Sequence, residues 1–261
     1  MLTTHYAPGA PVWLDLGAPD VEAATAFYGG VFGWEFRSAG PDAGGYGMFQ
    51  LDGKDVAAVG PLTAEGASPA WTLYFQTADA EATTRAVLEA GGAVRVEPMD
   101  VFTAGRLAQF TDPTGAEFAV WQPGDTRGLD VVNVPNTLCW SELHTTDARA
   151  ATDFYRRVFA WEAERTPMVD VDYTVVAPPG GGRDASHGGI MQFPPQVEVG
   201  ELRSRWYPYF EVEDCDAAVD ATVHHGGTAL TATDDAPGIG RMSMVLDSFG
   251  AQFALITSEA A

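Results

Sequence analysis

The chain begins with an alternation, Val12-Trp13-Leu14-Asp15-Leu16, which predicts a strand running toward Asp20. From Val21 the period changes. Ala24, Phe27, Tyr28, Val31 and Phe32 fall at helical spacing, which makes Asp20 the expected N-cap. The same strand, aspartate and helix recur at Asp79, Asp147 and Asp214. Helices from Asp79 and Asp214 run into Gly91-Gly92 and Gly226-Gly227, a helix stop. Stretches such as Tyr46–Leu51 and Tyr173–Pro178 follow as strands. The pattern is four βαβββ modules, an α+β chain.

The modules form two copies. Trp13–Glu35 and Trp140–Glu162 share 12 of 23 positions, so the chain is an internal duplication. "WTLYF" (Trp71–Phe75) answers "WYPYF" (Trp206–Phe210), and "GRLAQFTDPTGAEFAVW" (Gly105–Trp121) answers "GRMSMVLDSFGAQFALI" (Gly240–Ile256). The extra residues of the second copy fall in the turn-rich stretch Ala177–Gly189, a loop and a candidate lid carrying His187. Domains are expected at 8–123 and 137–258, joined by a linker at 124–136. The letters kept between copies, such as Phe27/Phe154 and Tyr28/Tyr155, read first as the face a helix presses on a sheet.

Composition narrows the partners. A formal charge of −22 argues against nucleic acid and anionic membranes. Cys139 and Cys215 make neither a disulfide framework nor a zinc spacing. The N-terminus lacks a basic leader, and no apolar run reaches the length of a membrane span, so a cytoplasmic location is expected.

The Asp-capped helix ending "FY..VFGW", together with the "DPTGAEF" hairpin, resembles the vicinal oxygen chelate superfamily of glyoxalase I, extradiol dioxygenases and bleomycin-resistance proteins. The resemblance covers nearly the whole chain. It implies two tandem glyoxalase-like domains, each a cupped mixed sheet with helices outside and a ligand cavity inside. It also implies a divalent metal, with ligands seven residues before the capping aspartates and seven after the turn aspartate. Here those positions are Trp13, Thr72 and Ala119 in the first copy, and Trp140, Tyr207 and Ala254 in the second. Such residues suit no metal, so no metal or other cofactor is expected.

Strand alternation then sorts the expected ligand-facing residues. They are Trp13, Asp15, Thr72, Tyr74, Glu117 and Trp121 in the first copy, and Trp140, Tyr207, Tyr209 and Gln252 in the second. Rings with a few polar groups suit a small hydrophobic or aromatic molecule. Asp15, Glu142 and Glu117 would be costly to bury in a solid apolar core. Glu142 and His144 stand two apart on one strand face, Cα atoms roughly 6.5–7 Å apart. A carboxylate there orients an imidazole and favours its protonated form, an acid/base pair. The first copy has Gly17 in place of His144.

Three functions remain open. The chain sequesters or presents a small aromatic ligand without metal. Alternatively it is a metal-independent isomerase, cyclase, hydrolase or lyase using Glu142 and His144; tandem relatives often carry a hydroxylase label, yet no flavin, haem or iron signature is present. The third is a metal-dependent glyoxalase or dioxygenase with a relocated site. The expected assembly is a monomer or homodimer.

Overall fold

The computed structural model describes residues 1–62, 66–168, 171–193 and 203–259. The first copy runs β1 (Pro11–Ala18), α1 (Val21–Phe32), β2 (Glu35–Ser38), β3 (Gly47–Leu51) and β4 (Lys54–Pro61). Its second module is β5 (Ala70–Gln76), α2 (Ala80–Glu89), β6 (Ala93–Val101), β7 (Gly105–Thr111) and β8 (Glu117–Pro123). The second copy runs β9 (Leu138–Thr145), α3 (Ala148–Phe159), β10 (Glu162–Met168), β11 (Val171–Ala177) and β12 (Gly188–Gln192). It closes with β13 (Arg205–Glu211), α4 (Cys215–His224), β14 (Thr228–Ala229), β15 (Asp234–Ala236), β16 (Gly240–Leu246) and β17 (Gln252–Ser258).

All four helices start where the periodicity predicts. Asp20, Asp79, Asp147 and Asp214 accept the backbone N–H of the residue three ahead, worth about 1 kcal/mol each. α1 ends on Gly33 in the left-handed conformation (φ 71°), whereas α3 ends on Ala160 in the same conformation (φ 56°) without the glycine that tolerates it. The fourth module departs from βαβββ regularity. Its outer strand is split into β14 and β15, both paired antiparallel with β16.

Hydrogen bonds order the strands as β2-β3-β4-β1-β5-β8-β7-β6 in one sheet and β10-β11-β12-β9-β13-β17-β16-β14 in the other. Both are mixed: β1–β4, β5–β8, β9–β12 and β13–β17 pair parallel, and the hairpins pair antiparallel. Each sheet draws its strands from one copy, with few helices, the α+β glyoxalase-like fold.

The hydrophobic cores follow a different division. One compact unit comprises residues 1–13, 73–128 and 140–207, and the other 14–72, 129–139 and 208–261. In the second of these, Tyr28 lies at the centre, stacked on Trp34 (5.7 Å) and edge-on to Trp71 (5.3 Å), while Phe32 packs on Phe210 (5.1 Å). The Tyr28 hydroxyl donates to Asp247 Oδ2 (3.0 Å) and accepts from the Trp71 indole (3.1 Å). The other unit is built alike. Tyr155 stacks on Trp161 (5.0 Å), its hydroxyl donates to Asp112 Oδ2 (3.0 Å), and it accepts from Trp206 (2.7 Å).

The 124–136 segment is docked rather than free. Asp130 accepts the Asp55 N–H (2.8 Å), the Asn136 carbonyl accepts from Trp34 (2.9 Å), and Leu129 is buried. Both cysteines are free thiols; Cys215 is buried and Cys139 partly so. Among the described residues, no helix is long and apolar enough to cross a membrane.

Candidate functional site

Strand β9 carries Trp140, Glu142 and His144 on one face, since successive side chains alternate, while Leu143 is buried on the other. The spacing expected from sequence closes into a contact: His144 Nε2 lies 2.7 Å from Glu142 Oε1. The second carboxylate oxygen, Oε2, accepts from the Tyr173 hydroxyl at 2.6 Å. Tyr173 in turn accepts from the Trp140 indole at 3.1 Å. The Tyr207 ring lies 4.6 Å from the imidazole, and Phe193 stands edge-on at 6.0 Å.

Tyr173 reaches Glu142 from β11 across β12. At the crossing stands Gly189, paired with Glu142 on one side and Val175 on the other. A Cβ on Gly189 would overlap the Tyr173 hydroxyl, so glycine makes the reach possible. Glu142 is 7% exposed, a buried carboxylate stabilised by its donors. Burial first, and the Glu142 charge second, push the Tyr173 phenol well above its ordinary pKa, so it keeps its proton.

The first copy repeats half of this. Tyr46, the counterpart of Tyr173, donates to Asp15 Oδ2 at 3.2 Å. Its ring also lies over a glycine, Gly60. At Gly17, where the second copy has His144, a Cβ would stand 2.9 Å from the Leu62 side chain.

The other residues singled out from sequence are spread more widely. Trp13, Tyr74, Trp121 and Tyr209 are buried, and Thr72 and Gln252 half-buried. The Trp121 indole is committed to the Thr126 carbonyl (2.9 Å). Glu117 corrects an expectation: it is exposed at the start of β8 and pairs with Arg95 (3.0 Å), so its charge carries no burial cost. His187 corrects another. It is 1% exposed and packed on Trp161 (4.9 Å), away from any lid, with no hydrogen bond to either ring nitrogen among the described residues. Burial holds it neutral, with its pKa lowered to about 3. The loop around it is anchored too, since Glu162 accepts the N–H groups of Gly180 and Gly182 (3.0 Å each).

The positions that hold a metal in the resembled family carry indole, hydroxyl, phenol and methyl groups in this chain, and these do not fit a divalent cation. Among the described residues, no group of three or more His, Cys, Asp or Glu side chains is placed to hold one. Two cavities lie elsewhere. One, about 400 Å³, is lined by Glu81, Asp100, Phe102 and Arg106; the other, about 150 Å³, by Glu162, Gly182 and Arg183. In the first, Arg106 bridges Glu81 (2.6 Å) and Asp100 (2.8 Å). Arg241 repeats that fork with Asp216 (2.8 Å) and Asp235 (3.0 Å), so it belongs to the scaffold.

Sequence reasoning missed Tyr173, Tyr46 and Gly189. A signal was available for the tyrosines: they stand 127 residues apart, the offset of Trp13 and Trp140. Gly189 had none, because only the path of a side chain from another strand singles it out.

Residues 10–120 match the family model described as the Glyoxalase/Bleomycin resistance protein/Dioxygenase superfamily, and residues 140–256 match a Glyoxalase-like domain. The chain is 40% identical to the anthracycline biosynthesis protein DauV of Streptomyces sp. (strain C5), over 97% of this chain and 94% of that protein. It is 34% identical to CFP32 of Mycobacterium bovis, named as a provisional glyoxylase, over 97% and 96%. The crystal structure of 2,2',3-trihydroxybiphenyl 1,2-dioxygenase from Sphingomonas wittichii strain RW1 superimposes with a TM-score of 0.65 at 14% identity, covering 97% of this chain and 91% of that one.

Proposed function

Because the chain belongs to the Glyoxalase/Bleomycin resistance protein/Dioxygenase superfamily, a scaffold shared by many chemistries, we propose a function from its own site: it binds a flat aromatic small molecule, without metal, at the Trp140–Tyr207 face. The observation that carries this reading is the convergence of Trp140, Glu142, His144, Tyr173 and Tyr207, rings around one oriented polar pair. Rings supply contact area at low entropic cost, and the polar pair fixes orientation. The name of DauV supports the ligand class, since anthracyclines are fused-ring aromatics. Sequestering that molecule and presenting it to another enzyme both use such a site.

The test is a tryptophan-fluorescence titration with planar fused-ring aromatics, with and without a chelator. Saturable one-to-one binding that survives chelation, and weakens about tenfold or more in Trp140→Ala, supports the reading. Binding that needs added metal, or none at all, overturns it.

The short Glu142–His144 contact favours a second reading, metal-independent acid/base catalysis. Under it, His144→Ala lowers turnover about 10²–10⁴-fold while ligand affinity changes only a few-fold.

A further inference from the structure

The hydrogen bonds of Glu142 decide which nitrogen of a neutral His144 ring carries the proton. An indole N–H only donates, so at the Trp140–Tyr173 contact the tyrosine oxygen accepts. Tyr173 has one hydroxyl proton, and it goes to Glu142 Oε2. Oε1 of the same carboxylate then accepts from His144 Nε2. A neutral imidazole carries one proton, placed here on Nε2, which leaves the Nδ1 lone pair without a protein partner among the described residues.

We propose that His144 Nδ1 is the acceptor for a ligand hydroxyl, so that the preferred ligands are hydroxylated aromatics, phenols or enols, with Glu142, held by Tyr173, as the positioning residue that sets the tautomer. This rests on the aromatic-binding reading above and narrows it. Tyr207 and Phe193 flank the imidazole with ring surface, and Nδ1 asks that ring for a donor. A site built around a hydrogen bond rejects the analogue that lacks it, because its own polar atom is then left buried and unpaired.

The duplication provides an internal comparison. The first copy keeps the phenol–carboxylate pair as Tyr46 and Asp15 but has Gly17 where the imidazole would be. The pair is therefore part of the shared scaffold, and the imidazole is the second copy's own addition.

The experiment compares 2-hydroxyanthraquinone with its methyl ether, 2-methoxyanthraquinone, on the full chain, alongside NMR of the His144 ring nitrogens. The free protein is expected to show the Nε2–H tautomer, and the hydroxyl compound to bind about 5–10-fold tighter than the ether. His144→Phe removes the acceptor and is expected to erase most of that preference, whereas Tyr173→Phe, which loosens Glu142, is expected to weaken both compounds. Tyr46→Phe, beside Asp15, leaves the preference in place. A Nδ1–H tautomer, or a ring protonated on both nitrogens, overturns the proposal whatever binds. Equal binding of both compounds overturns it too, but leaves the aromatic-binding reading standing. If neither compound binds while the tautomer is Nε2–H, the aromatic reading fails and takes the ligand class with it.

Discussion

The Tyr28 hydroxyl donates to Asp247 Oδ2 at 3.0 Å, joining a helix of the first copy to a turn of the second; Tyr155 and Asp112 form the same bond with the copies exchanged. The turn aspartates do two jobs. Oδ1 of Asp247 accepts the N–H groups of Phe249 and Ala251 (2.8 Å each), and Oδ1 of Asp112 those of Thr114 (2.7 Å) and Ala116 (3.0 Å). Oδ2 is left for the tyrosine. Tyr28→Phe therefore strands a buried carboxylate oxygen and the Trp71 indole N–H. A loss of about 1–3 kcal/mol in urea unfolding is expected, and less than additive loss in the Tyr28→Phe/Asp247→Asn double mutant. Full additivity would show that the bond contributes nothing.

The same crossing predicts the fate of half a chain. Residues 1–136 contain Tyr28 and Phe32 but neither Asp247, Phe210 nor Phe253, against which those residues pack. Expressed alone, this fragment is expected to be unfolded or to pair with a second copy of itself. A stable monomer melting at the full-length temperature, seen by size-exclusion chromatography and thermal unfolding, would contradict this.

The ends of α1 and α3 make a matched pair. Ala160 holds φ 56° where Gly33 holds φ 71°. Ala160→Gly is expected to stabilise the fold by about 0.5–1 kcal/mol through relief of the left-handed strain, and Gly33→Ala to destabilise it by a similar amount. Chemical denaturation of both variants measures the two signs.

His187 makes stability depend on pH. Its pKa falls from 6.5 to about 3 on folding, chiefly by burial. The unfolded chain thus binds more protons between those values, so stability is full above pH 6.5 and lost as pH falls toward 3, at most about 1.4 kcal/mol per pH unit. His187→Phe is expected to flatten the decline between pH 6.5 and 5, above the range of most carboxylates. Thermal melts across that window decide the matter, and an unchanged slope rules the histidine out.

Gly189→Ala tests the crossing of Tyr173. The added methyl pushes the hydroxyl off Glu142. Aromatic binding is expected to weaken at least as much as in Tyr173→Phe, with altered Trp140 fluorescence, because the indole loses its acceptor. Unchanged emission and affinity would mean that the phenol position does not matter.

Local physics made much of this legible along the chain. Four aspartates followed by 3.6-residue periodicity are capped helices whatever surrounds them, since an N-cap bond spans three residues. Period-two alternation put Glu142 and His144 on one face, and the duplication stood in the letters. Glu117 failed because alternation assigns a face but not a depth: at the start of β8 that face is open to water.

The sequence by itself determined the modules, the caps, the repeat and the faces, all set by contacts within a few residues. Only the tertiary structure decided that Tyr28 meets Asp247 rather than Asp112, that His187 is buried, and that Tyr173 crosses Gly189 to hold Glu142. Those depend on which strands become neighbours, and the apolar residues of α1 and α3 fit either partner equally well as letters. Burial of one hydroxyl beside one carboxylate, far apart in the chain, is what turns the repeated phrase from a pattern into a fold.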